Sequence, residues 1–282
     1  MTSQSTEVSV ERPDRTVRTA YFEFLSADGR MELLDESYQL RYQVYCIERG
    51  FLNQCDYPEG RECDNFDRQS AHFVGRHRAT QLYAGTARLV HFSEKGFPMM
   101  SHCTLDREYK RLRDIDNPEL RRCGEVSRVA VSKLFRHRAA DTRYGGPPRQ
   151  DKGAGAIPSA SLGQSSHVGA YWPEIVSGLY KSIYQEAKRN GLSTLIVAME
   201  RSLYVLLKRM QIRFQPIGPE VDYHGPVRPY MLSIKRGEID IAKRAPLVLV
   251  YLLQGLEPEL WPECTADLDL SAMTGDPSTV GL

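Results

Sequence analysis

Between residues 31 and 48 apolar side chains recur at Leu33, Leu40, Val44 and Ile47, the three-to-four spacing of one helix stripe, and Gly50 ends the run. Residues 72–77 and 83–92 are alternating, β-rich runs separated by a short polar turn, the pattern of a hairpin. A valine-rich stretch at 124–132 (GEVSRVAVS) predicts a third strand. Periodicity then disappears from 138 to 172, where glycine, proline and serine accumulate (YGGPPRQDKGAGAIPSASLGQSS), the composition of an insertion. Pro173 opens a second helix with Ile175, Leu179, Ile183 and Ala187 on one face and Gly191 as its stop. Residues 194–199 (TLIVAM) predict a buried strand, Ser202 caps a short helix running to Met210, and 213–217 and 230–234 predict two more strands. No internal repeat is present. This order predicts an α/β (α+β) layout around one mixed sheet.

The organisation expected is a disordered N-terminus over 1–20, one domain over 21–236 carrying an insertion at 139–172, and a C-terminal extension over 237–282 with an acidic tail. The longest apolar run, Ala245 to Leu253, spans nine residues including a proline, whereas a bilayer-crossing helix needs about 20. Core packing is therefore expected for residues 245–260, ahead of contact with a membrane or partner surface. The polar first residues carry no secretory leader.

Composition narrows the functional classes. Hydrophobic residues make up 41% and aromatics 9%, enough for a core and too much for global disorder. Thirty-seven Lys and Arg against 36 Asp and Glu give a net charge of +1, which argues against whole-surface nucleic-acid binding. The six cysteines include no CxxC pair, consistent with reduced thiols in a cytoplasm. Cys55, Cys63 and His72 fit no common zinc spacing, and no metal is expected. The near-neutral total hides an uneven distribution. Residues 107–138 hold ten Lys and Arg against five acidic residues, and from Glu257 onward there are six acidic residues and neither Lys nor Arg. The first stretch is a candidate docking surface for an acidic partner, with Lys110, Arg111, Lys133 and Arg136 as its candidate contacts.

Several charges fall where a purely structural reading would not put them. Arg41 shares a helix side with Tyr38 and Tyr45. Asp64 and Asp67 flank Phe66 just before the hairpin (ECDNFD). Arg88 interrupts the second hairpin strand, and Glu125 and Arg128 interrupt the valine-rich one. If inside, these charges must find one another, because buried charge is tolerated only when paired. Glu125 and Arg128, three apart, point to opposite faces of a strand unless a bulge lies between them.

The series Arg41, Tyr45, Phe51, Asp64-x-x-Asp67, Arg88 and Glu125-x-x-Arg128 resembles the signature of the acyl-homoserine-lactone (autoinducer) synthases, a branch of the GNAT acyltransferase fold. The phrases LRYQVYCIERGFL, CGEVSRVAVSKLFRHR, AMERSLYVLLKRM and QPIGPEVDYHGPVRPYMLSI resemble their relatives, the N-acyl amino acid synthases and, above all, the PEP-CTERM/exosortase system-associated acyltransferases. The resemblance spans roughly residues 21–234. It departs from the autoinducer synthases at Tyr45 and Phe51, where those proteins commonly carry Phe and Trp. The fold's diphosphate-binding turn has only a displaced counterpart, Gln150 to Gly155 (QDKGAG), inside the glycine-rich insertion.

The resemblance implies a GNAT-like domain with helices on both faces of its sheet and a splayed strand at 124–132. It implies a cytoplasmic N-acyltransferase, with room for peripheral membrane contact, that moves a fatty acyl group from an acyl-phosphopantetheine thioester to the amine of an amino acid. The displaced glycine turn and the basic stretch favour acyl carrier protein over coenzyme A as donor. Glu125 is the base this implies, with Asp67 as an alternative and Arg128 beside them. Val129 and Val131 would offer backbone N–H groups to the pantetheine arm and the carbonyl. Arg41, Tyr45, Phe51, Asp64 and Arg88 would shape the acceptor side. No covalent nucleophile is implied, including Cys123. An S-adenosylmethionine-dependent lactone synthase and a non-catalytic accessory protein of an exosortase or exopolysaccharide system stand as alternatives.

Overall fold

The computed structural model describes residues 15–136, 171–266 and 268. The expected insertion, apart from Tyr171 and Trp172, lies outside the described residues, as do Gln150 to Gly155, the first 14 residues and most of the acidic tail.

Among the described residues nine strands form one sheet, in the order β1-β2-β3-β4-β5-β6-β9-β7, with β8 pairing on β9 alone. They are β1 (Val17–Arg18), β2 (Phe22–Ser26), β3 (Ser70–His77), β4 (Tyr83–His91), β5 (Cys123–Val131), β6 (Thr194–Met199), β7 (Gln215–Pro216), β8 (Val221–Asp222) and β9 (Pro226–Ser233). Every pairing is antiparallel except β5 with β6. That parallel pair needs a crossover, and α3 (Tyr171–Arg189) supplies the helix of it.

Helix α1 (Met31–Tyr42) and α3 cover opposite faces. On the α1 side, Ser37 and Thr86 hydroxyls meet at 2.7 Å. On the other, α3 lies so close that a β-carbon on Gly178 would stand 1.9 Å from the Phe24 ring, and one on Gly85 would stand 2.8 Å from Ile175. Only glycine allows that approach. The expected helix over 31–48 is one run, but its last turn, Gln43–Glu48, is π-helical. Arg49 N–H donates to Val44 O at 3.0 Å, five residues back. The wider turn rotates Ile47 outward to 44% exposure, against the predicted stripe, while Leu40 and Val44 stay buried.

Two boundaries differ from expectation. The sheet begins at Val17, where β1 pairs with β2, ahead of the expected start at Tyr21. The boundary expected at 236 falls inside α5 (Ile234–Arg244), an element that the periodicity did not predict. With α6 (Pro246–Leu253), α5 packs into the same core as α3, α4 (Arg201–Arg209) and the sheet. Gln185 Nε2 on α3 donates to the carbonyls of Leu252 and Gln254, both at 3.0 Å, which fastens α6 down. Val248 to Leu253 of the apolar run are therefore core, as their hydrophobicity requires, while Pro246 and Leu247 stay exposed. Among the described residues no helix is long and apolar enough to cross a membrane.

Candidate active site

The sheet opens at its middle. β5 and β6 stay in register from Cys123↔Thr194 to Val126↔Val197 and no further. Beyond that point β5 keeps only β4 as a neighbour, so its other edge borders a cavity instead of a strand. The splay expected over 124–132 is thus confined to the part of β5 after Val126.

A bulge accompanies the splay. Ser127 pairs with Arg88 and Ala130 with Thr86, which leaves Arg128 and Val129 opposite Ala87. Arg128 adopts a left-handed φ of 53°, rare for a side chain of this size. Strict alternation would send Arg128 to the α3 face with Val126. The extra residue returns it to the α1 face, where the acidic residues lie.

There it completes a buried ionic network drawn from distant segments. Arg41 on α1 donates through Nε to Glu62 at 2.5 Å and through Nη1 and Nη2 to both Asp67 oxygens at 2.7 and 3.2 Å. Arg88 on β4 donates through Nη1 to Asp64 and Asp67, both at 2.6 Å, and through Nε to Ser127 Oγ at 3.0 Å. Arg128 on β5 grips Glu62 at 3.0–3.2 Å and Asp64 at 3.2 Å. Three guanidinium groups meet three carboxylates, so the formal charge closes at zero. Burial alone would raise the Asp67 carboxyl, but Arg41 and Arg88 hold it well below the usual range. Glu62 and Asp64 are lowered in the same way, burial being outweighed by Arg41 and Arg128 for Glu62 and by Arg88 for Asp64.

Glu62 is the member sequence reasoning missed. It is fully buried and bonds two of the three arginines, yet in the segment ECDNFD it stands ahead of the two aspartates with nothing in its spacing to mark it. Glu125, expected in the set, makes no ion pair with Arg128. It is 1% exposed and accepts a hydrogen bond from the Met99 N–H at 2.9 Å. Burial pushes its carboxyl up to about 8, against the smaller effects of that hydrogen bond and of Arg88 and Arg128. It is a buried acid whose burial favours the protonated form.

The cavity at the splay encloses about 110 Å³. Of the predicted residues, Tyr45, Phe51, Glu125, Arg128, Val129, Val131 and Arg136 line it, whereas Arg41, Asp64, Asp67 and Arg88 lie behind it in the network. Tyr45 donates its hydroxyl to Val129 O at 3.3 Å, and the Arg128 guanidinium stands 5.6 Å from its ring. Val129 therefore serves at least partly as an acceptor, a role its apolar side chain does not announce. The four predicted docking cations divide. Lys110 and Arg111 are exposed on the 3-10 run Arg107–Arg113. Lys133 and Arg136 lie on α2 (Lys133–Arg136), where Glu48 accepts from the Lys133 N–H at 2.9 Å and from Arg136 at 2.8 Å. Arg49 pairs with Glu200 at 3.2 Å, and Tyr223 and His224 join the lining from the turn between β8 and β9. The phrase PEVDYHGPVRPY contains that turn, with no sequence signal to assign it to the cavity.

A family model described as an acetyltransferase (GNAT) domain matches residues 40–144. Among solved structures, TofI in a ternary complex with an inhibitor and MTA superposes with a TM-score of 0.52, at 16% identity, covering 84% of this chain and 99% of that one. The fold is that of the GNAT acyltransferases. The structure of BjaI, a CoA-dependent acyl-homoserine lactone synthase, with SAM and isopentyl-CoA is similar at 15% identity and a TM-score of 0.47, covering 80% of this chain and 83% of that one. FeeM, an N-acyl amino acid synthase from uncultured soil microbes, is similar at 12% identity and a TM-score of 0.45, covering 73% and 88%. No curated protein sequence matches this chain.

Proposed function

We propose that this protein is an N-acyltransferase that moves a fatty acyl group from a phosphopantetheine thioester to the amine of an amino acid or similar acceptor. The observation that carries the reading is the position of Glu125, a buried carboxyl raised to about 8, in a cavity bordered by the free edge of β5. An exposed strand edge offers backbone N–H and C=O groups to the amides of a pantetheine arm, and a thioester carbonyl beside it finds donors for its developing charge. Glu125 is the proton-exchanging group, an acid toward the departing thiolate at neutral pH and a base above about pH 8. Asp67 is a poorer candidate for that task, with both oxygens committed to arginines.

The bulge, the network and α1 set the wall around the acceptor, so Arg41, Asp64, Asp67 and Arg88 are positioning residues in this reading. Acyl carrier protein is the proposed donor, docking on Lys110, Arg111 and Lys133, with Arg136 nearer the thioester. The site of action is cytoplasmic, with peripheral membrane contact compatible with an apolar product. Membership of the PEP-CTERM/exosortase-associated subgroup is part of the proposal and rests on the quoted phrases.

A second reading, an acyl-homoserine-lactone synthase using S-adenosylmethionine, draws on the Arg41, Asp64, Asp67, Arg88, Glu125 and Arg128 set. One experiment separates the two. The protein is incubated with acyl thioesters of acyl carrier protein or coenzyme A, together with free amino acids or S-adenosylmethionine, and products are read by mass spectrometry. An N-acyl amino acid is expected. A lactone selects the second reading, and no acyl transfer with any acceptor overturns both in favour of an accessory protein without catalysis.

A further inference from the structure

Glu125 leaves a chemical gap at neutral pH. An amine acceptor arrives as an ammonium and must lose a proton before it attacks, and a carboxyl that stays protonated to about pH 8 is not free to take it. Of the other titratable groups lining the cavity, Arg49, Arg128 and Arg136 are cations without a basic lone pair. Burial raises the phenols of Tyr45 and Tyr223, and Glu200 is held by Arg49. His224 is left.

The chain holds this residue in a defined place. His224 stands at the turn between β8 and β9, with Tyr223 N–H donating to Gly225 O at 3.0 Å and Gly225 N–H donating to Asp222 Oδ1 at 3.2 Å. Its φ of 56° is left-handed, a region uncommon for residues with a β-carbon in which histidine is enriched along with Asn and Asp. Its neighbours are closely packed. The Tyr223 ring stacks on His102 with centroids 4.0 Å apart and planes 8° from parallel. Gly225 is packed so tightly on Phe51 that a β-carbon there would stand 2.9 Å from the ring. The charged and titratable groups facing His224 are Tyr223, its ring 4.5 Å away, Arg128 from β5, His102 and Glu62 from loops, and Asp222 from β8. Burial first, then Arg128 and His102, depress its pKa, so the imidazole is neutral at pH 7 with a lone pair available.

We propose that His224 is the base that deprotonates the acceptor ammonium, working across the cavity from Glu125. This rests on the acyl-transfer reading above. His224 takes one proton from the ammonium, and the freed amine attacks the thioester carbonyl, forming the C–N bond. The C–S bond breaks as the Glu125 carboxyl protonates the departing thiolate. The resulting carboxylate then takes the remaining surplus proton from nitrogen. The sum is thioester plus ammonium giving amide, thiol and one proton, which leaves His224 for solvent.

The test is the pH dependence of kcat at saturating acceptor, with a decanoyl-pantetheine thioester and free amino acids as substrates. For wild type, kcat is expected to rise through a midpoint below 6.5, the ordinary histidine value. His224→Asn, which tolerates the left-handed backbone, is expected to lower kcat at pH 7 about 100-fold and remove that rise. Thermal stabilisation by the thioester should survive in this variant. His224→Gly should regain activity with added imidazole, a rescue that loss of a structural contact would not give, and this arm decides if the asparagine variant is unstable. A single rise near pH 8 that persists in His224→Asn and vanishes in Glu125→Gln assigns the base to Glu125 and overturns the proposal, as does undiminished kcat in His224→Asn. Wild type that forms no amide with any amino acid overturns the acyl-transfer reading itself, and this inference with it.

Discussion

Arg41 and Asp67 meet as a two-bond fork, Nη1 to Oδ1 at 2.7 Å and Nη2 to Oδ2 at 3.2 Å, with the arginine wholly excluded from solvent. The same guanidinium spends its Nε on Glu62, so one planar group ties α1 to both ends of the acidic loop. Removing it leaves three carboxylates facing two guanidinium groups, one buried negative charge without compensation. Arg41→Ala is expected to cost about 3–5 kcal/mol of stability in urea unfolding. Arg41→Lys should also be clearly destabilised, because a point charge cannot reproduce a fork that spans two carboxylates. A lysine variant as stable as wild type would show the fork to be dispensable.

The network also sets the acid limit. Asp67, Glu62 and Asp64 all have lowered values in the folded chain. A lowered carboxylate adds stability above its unfolded pKa, about 4 for Asp and Glu, and that stability is lost as pH falls through the folded value. Unfolding free energy is therefore expected to decline steeply below about pH 4, and less steeply in Asp67→Asn, which cannot titrate there. Urea midpoints measured down to pH 3 make the comparison.

Arg128 separates backbone from side chain. Its left-handed φ of 53° is costly for any residue with a β-carbon, while its guanidinium holds Glu62 and Asp64. Arg128→Ala loses the ion pairs and keeps the strain. Arg128→Gly loses the same pairs and relieves it. Glycine is expected to be the more stable of the two by about 1 kcal/mol, reversing its usual rank in a strand, as judged by thermal midpoints. An alanine variant of higher midpoint would remove the bulge from the account.

The sequence made much of this legible. The hairpin, β6 and α3 follow from alternation and helix periodicity, signals that local burial writes directly. The charged set was visible because arginine inside a strand has no cheap explanation. What was not visible has a common cause: it depends on contacts between distant segments. Glu62 looks like any loop glutamate until α1 and β5 close on it. The π-helical turn over Gln43–Glu48 carries no proline or glycine to mark it, and it is where Tyr45 and Glu48 turn toward β5 and α2. His224 enters the cavity through a turn whose letters fit a surface hairpin equally well.

The exposed cations on the Arg107–Arg113 run bear on the choice of donor. Lys110 and Arg111 carry no ion pair among the described residues and lie away from the cavity lining. If acyl carrier protein docks there, Lys110→Glu with Arg111→Glu should raise KM for the carrier-bound thioester at least tenfold and leave kcat unchanged. The effect should weaken at high salt. The same variant should turn over a pantetheine thioester like wild type. Equal KM values for the carrier-bound substrate would place docking elsewhere.

Glu125→Gln joins stability to chemistry. The folded carboxyl titrates near 8 against 4.5 when free, so the folded chain holds a proton the unfolded chain has released over that interval. A raised value contributes stability that is full below the unfolded pKa and is lost as pH rises through the folded one. Wild type should therefore lose stability progressively from about pH 5 to 8 and level off above it. Glutamine stays neutral, and its amide oxygen can still accept the Met99 N–H. The variant is expected to match wild type near pH 5, exceed it at pH 8 and lack most of the acyl-transfer activity. Urea unfolding at the two pH values, beside an amide-forming assay on the same samples, reads all three. A variant that is inactive because it has unfolded would be less stable at pH 8, the opposite of the sign that a raised carboxyl requires.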